Sequence, residues 1–65
     1  MCYLIEISCG EDIITLLESH SDDEVLQYLR NNREDLKATL RVLPNAKVFV
    51  VHLGSDSAAW EVDFD

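Results

Sequence analysis

The run from Ser21 to Leu43 constrains this chain more than any other stretch. Val25, Leu29, Leu36, Leu40 and Leu43 recur at spacings of four, seven, four and three residues. At about 100° per residue these side chains share an arc of about 60° on a helix, a narrow and continuous apolar stripe. Ser21 stands three residues before Glu24, the spacing of a capping box, and Asp22, Asp23 and Glu24 bring negative charge to the first turn, where the helix dipole favours it. Arg41 lies in the last turn and Pro44 stops the run. Asn31 and Asn32 weaken the middle, and a break there would let Asn31 cap a second helix with Glu34 as reciprocal partner. Because the stripe keeps its phase across the two asparagines, the expectation is one helix.

The flanking segments read as strands. Tyr3 to Ser8 is rich in β-formers, with Tyr3, Ile5 and Ile7 on one face and Cys2, Leu4 and Glu6 on the other. Cys9-Gly10-Glu11-Asp12 is a short polar turn suited to a hairpin. The β-branched run Ile13-Ile14-Thr15 favours a strand over Ile13–Ser19, although Ile13, Leu16 and Leu17 also fit a helical face. Lys47 to Leu53 is apolar on both faces, the mark of a central strand. After the turn at Gly54-Ser55-Asp56-Ser57, Ala58 to Asp65 alternates, with Trp60, Val62 and Phe64 opposite Glu61, Asp63 and Asp65. The expected class is α+β: a small antiparallel or mixed sheet of four strands in the order ββαββ, with one amphipathic helix on one face. The 65 residues are expected to form a single compact domain, 1–65.

Composition narrows the functions available. A chain of this length, 48% hydrophobic with two glycines and one proline, has the make-up of a folded domain too small for a large catalytic cleft. No nucleophile, base and orienting group occur in a recognisable arrangement, so no enzymatic activity is expected. Cys2 and Cys9, about 23 Å apart along an extended strand at about 3.3 Å per step, are expected as free thiols. Their spacing to His20 and His52 matches no recognised zinc site, and no metal or cofactor is expected. The amino terminus lacks the basic start and apolar core of a signal peptide, and no apolar run reaches spanning length, so a cytoplasmic location, of a cell or of a host, is expected.

Charge layout carries the functional expectation. The net charge is −8, distributed as −7 over residues 1–29, +3 over 30–47 and −4 over 48–65. Arg30, Arg33, Lys37 and Arg41 fall within about 80° of the helix, beside the apolar arc. Their stems are expected to cover the edge of the core while their heads meet carboxylates. One helix covers one face of a sheet. If Phe49, Val51 and Leu53 face it, then Val48, Val50, Leu4 and Cys2 form an uncovered apolar strip flanked by Glu6, Glu61 and Asp63. On a strand Glu61, Asp63 and Asp65 would be spaced at roughly 6.6 to 7 Å, comparable with successive phosphates of a nucleic-acid strand.

The expected function is therefore a non-catalytic, acidic protein-interaction module that binds a basic protein surface and neither nucleic acid nor a membrane. Its expected contacts are Glu6, Glu61, Asp63 and Asp65, with Val48, Val50 and Leu4 as apolar anchors. In size, acidity and lack of catalytic motifs the chain resembles the small anti-restriction and anti-CRISPR inhibitors of phages and other mobile elements. That likeness of composition implies a nucleic-acid mimic directed at nucleic-acid-handling machinery. The alternative is a homodimeric structural or accessory protein, or an antitoxin-like regulatory subunit, in which the acids serve solubility.

Overall fold

A computed structural model describes residues 2–64. Strand β1 (Cys2–Cys9) and strand β2 (Asp12–Ser19) form a hairpin, followed by helix α1 (Asp22–Asn31) and helix α2 (Arg33–Val42). Strands β3 (Ala46–Leu53) and β4 (Ala58–Glu61) complete one four-stranded antiparallel sheet in the order β2-β1-β3-β4. The α+β class stands, and the element order is ββααββ in place of ββαββ.

The hairpin is closed by Gly10 and Glu11 between the paired residues Cys9 and Asp12. Gly10 has φ of 63° and no other described residue has positive φ, the signature of a II′ turn, whose first central position glycine fills without strain. Ile13–Ser19 is a strand, as expected. Its ambiguity has a structural cause: the register with β1 slips between Ile5 and Glu6, which pair with Leu17 and Thr15 and leave Leu16 over. At this bulge the successive residues Leu16 and Leu17 both pack against the core, which imitates helical spacing.

Ser21 caps α1, its side chain accepting from the Glu24 amide at 3.4 Å. The other half of the expected box is supplied differently: the Ser21 amide donates to Oγ of the buried Ser19 at 3.0 Å. The single long helix of the sequence reading is broken at Asn32, whose φ of −109° and ψ of 13° are not helical. Both its backbone amide and its side-chain Nδ2 donate to the Tyr28 carbonyl, at 3.0 and 2.9 Å, so the side chain competes with the helical ladder. The stripe keeps its phase because i→i−4 bonds cross the break, from Asn32 to Tyr28 and from Leu36 to Asn32. A stripe that keeps its phase is thus compatible with a break.

The core lies between the helices and one sheet face. Ile5 and Val48 are 0% and 1% exposed, and Ile7, Ala46, Val25, Leu36 and Phe64 close around them. Register settles which residues face inward, since Ile5 pairs with Val50 and Ile7 with Val48. The even-numbered residues of β3 thus share the helix-covered side with the odd-numbered residues of β1. The expected orientation of β3 is reversed: Val48 and Val50 face the helices, and Phe49, Val51 and Leu53 face away. Apolar residues on both sides of β3 gave no preference, and a one-residue change of register exchanges the two sets.

Candidate functional site

Four strands in antiparallel register lay out the uncovered face as rows across the sheet. Cys2 pairs with Leu53 at one end. Next come Glu18, Leu4, Val51 and Ala59, then Thr15, Glu6, Phe49 and Glu61, and finally Ile13, Ser8 and Lys47. Leu4, Phe49 and Val51 adjoin at the centre and are half-buried by their neighbours, while Leu53 is 42% and Ile13 63% exposed. The carboxylates Glu18, Glu6 and Glu61 surround this centre. Glu6 is itself half-buried between Thr15 and Phe49.

Lys47 is the one base that the register sets on this face among the described residues, and its Nζ lies 3.6 Å from Glu61. Both side chains are more than half exposed, so the pair adds little to stability and leaves the carboxylate open to competition from a partner's base. Cys2 donates its thiol to Glu18 at 3.7 Å. Burial, and then the Glu18 charge, push that thiol above its ordinary pKa. Cys2 and Cys9 are free thiols, and no group of three or more His, Cys, Asp or Glu among the described residues could hold a metal ion.

The expected contacts separate on the structure. Leu4, Glu6 and Glu61 meet on the uncovered face. Val48 is in the core and Val50 is half-buried on the helix side, so neither lies on the strip they were assigned to. The expected ladder of acids is shorter than its sequence pattern, because β4 ends at Glu61. Beyond it one more ladder bond follows in register, the Val62 amide donating to the Val48 carbonyl at 2.8 Å; Phe64 is then buried, and Arg33 Nη2 donates to the Phe64 carbonyl. Asp63 lines a cavity of about 340 Å³ with Lys37, Arg41, Lys47 and Glu61. Asp65 lies outside the described residues. Of the basic stripe, Arg33, Lys37 and Arg41 thus lie near the C-terminal segment, and Arg33 also pairs with Glu34 at 3.5 Å.

Phe49, Val51 and Glu18 belong to the face and were missed. Lys47 held the signal, for a lysine at the start of a strand turns to water, and Phe49, Val51 and Leu53 are in phase with it. No described helix is long and apolar enough to cross a membrane. No protein-family model matches this chain, and no curated protein or solved structure matches it.

Proposed function

We propose that this protein is a non-catalytic binding module whose uncovered sheet face docks a partner protein bearing an apolar patch ringed by lysine and arginine. The observation that carries this reading is the adjacency of Leu4, Phe49 and Val51 at the centre of a helix-free face, with Glu6, Glu18 and Glu61 around them. The apolar centre supplies area to bury and the carboxylates supply orientation, the anatomy of a protein interface. The net charge of −8 speeds encounter with a basic surface and opposes binding to nucleic acid. Occupation of a surface where nucleic acid otherwise lies follows naturally, and makes the module an inhibitor of nucleic-acid-handling machinery of the anti-restriction or anti-CRISPR kind. Two free thiols fit a reducing, cytoplasmic setting.

A second copy suits this face less well. Stacked face to face, two copies set three glutamates against three, with Lys47 the one lysine or arginine that the register sets on each face among the described residues. The test is retention of partner on immobilised protein from an extract of the native host, eluted by a salt gradient and repeated with competing duplex DNA. The double variant Glu6→Lys/Glu61→Lys is expected to lose the retained partner, while Glu34→Lys, exposed on α2, keeps it. Equal retention by both variants contradicts the reading. A stable dimer in sedimentation at micromolar concentration, abolished by Val51→Asp, supports the alternative of a homodimeric accessory protein.

A further inference from the structure

On the opposite side of the sheet, α1 packs against β1 and β2. Trp60 faces this side, paired with the inward Val50, yet it remains 52% exposed. The result is a groove of about 360 Å³ whose apolar walls include Val25, Val50, Leu26 and Trp60, with Tyr3 and Asp22 at one end. Leu26, at its lip, is 59% exposed. Two large apolar side chains beside water around a concave surface are a combination that folding alone does not require.

The chemistry of the groove selects its occupant. Asp22 is the only charged residue among those described as lining it. Its carboxylate takes a hydrogen bond from the Tyr3 hydroxyl, which leaves further acceptor positions open. The Tyr3 ring also lies beside the His52 ring, with centroids 4.9 Å apart. Every lysine and arginine of the chain lies within residues 30–47, whereas the groove is built from residues 3–29 and 50–60. The acid therefore has no base of its own in the lining. An indole face and a carboxylate at one apolar groove attract a cation carried on a hydrocarbon stem: the indole through its π-electrons, the acid through charge, and the walls through burial of the stem.

We propose that the groove between α1 and β4 is a docking site for a lysine or arginine side chain presented by an apolar segment of a partner protein. It lies on the other side of the sheet from the uncovered face, so the two sites fail or stand separately.

Trp60 is the only tryptophan, which makes its fluorescence a direct reporter of occupancy. The probe is an acetylated and amidated Leu-Arg-Leu peptide, compared with Leu-Gln-Leu. Titration with the arginine peptide is expected to give a saturable change in Trp60 emission that the glutamine peptide does not give. Asp22→Asn is expected to weaken the binding by about tenfold, the scale of a lost charge-assisted contact. Leu26→Lys places a cation at the exposed lip without altering Asp22 and is expected to weaken it as well, so the test survives if one variant fails to fold. Glu61→Gln, on the opposite face, is expected to leave the titration unchanged. A response to both peptides alike, no saturable response, or unchanged affinity in a folded Asp22→Asn or Leu26→Lys protein overturns the assignment.

Discussion

The two faces of one sheet differ in what lies over them more than in what composes them. β1 and β3 supply both: Ile5, Ile7 and Val48 to one side, Leu4, Phe49 and Val51 to the other. The first set is sealed beneath α1 and α2, while the second is only half-buried by its strand neighbours. Hydrophobicity alone cannot distinguish a core from a docking surface in such a strand. The difference lies in the charges in phase with each set: Glu6, Lys47 and Glu61 accompany Leu4, Phe49 and Val51, and no charged residue of β1 or β3 accompanies Ile5, Ile7 and Val48. A face that keeps both apolar and charged groups half in water suits a partner that covers it part of the time.

One carboxylate placed on each side of β3 separates the two faces most sharply. Val48→Asp buries an unpaired charge in the core and is expected to abolish cooperative thermal unfolding by circular dichroism. Val51→Asp, three residues along on the open face, is expected to retain it. Loss of fold in both variants would remove the distinction between the faces.

A smaller and more quantitative contrast comes from truncation. Ile5→Ala leaves a cavity in a sealed site and is expected to cost about 2–5 kcal/mol. Leu4→Ala, its neighbour on the other face, removes contacts that are already half wet and is expected to cost about 1 kcal/mol. Urea denaturation measures both, and equal costs would show that the open face is as tightly packed as the core. The helix layer that makes one face a core depends in turn on its cap, and Ser21→Ala is expected to cost about 1 kcal/mol in the same assay.

The smallest effects are titrations, one on each side of the sheet. The hydrogen bond to Asp22, with partial burial and the Asp22 charge, raises the Tyr3 phenol above its ordinary value. A raised pKa in the folded state stabilises below the unfolded value, and that contribution is lost as pH rises through the folded one. Stability is therefore expected to fall in the alkaline range, above the ordinary tyrosine pKa, and less steeply in Asp22→Asn. Ultraviolet titration of the Tyr28→Phe background is expected to show Tyr3 ionising at lower pH once Asp22 is neutralised. On the open face, Cys2 is expected to react with disulfide reagents faster in Glu18→Gln, since a charge that opposes the thiolate is gone.

Much of this architecture is legible from residue pattern. The stripe from Val25 to Leu43, the hairpin glycine and the apolar run of β3 specify helix, turn and central strand through local chemistry. What escaped depends on relations between segments. The break at Asn32 leaves the 3.6-residue period intact, because hydrogen bonds bridge it. The orientation of β3 is set by its register with β1, and only Lys47 hinted at it. The acidic alternation after Ala58 looks like a full strand, but the strand ends at Glu61, with one further ladder bond at Val62, and Phe64 takes a place in the core where Arg33 holds its carbonyl. Of the candidate site, Glu6 and Glu61 were readable because a carboxylate on a strand turns to water, and Leu4 because it is in phase with Glu6. Phe49 and Val51 were not, since they share a strand with equally apolar neighbours.

In the proposed function the uncovered face, and not the acidic composition as a whole, binds the partner. The most direct measurement pairs Val51→Asp with retention of the native-host partner at low salt, on protein shown by circular dichroism to be folded. Val51→Asp makes the chain more acidic while spoiling the apolar centre of the face. Loss of the partner by the folded variant is the expected result. Undiminished or stronger retention would contradict this reading, and would mean that net negative charge alone draws the partner.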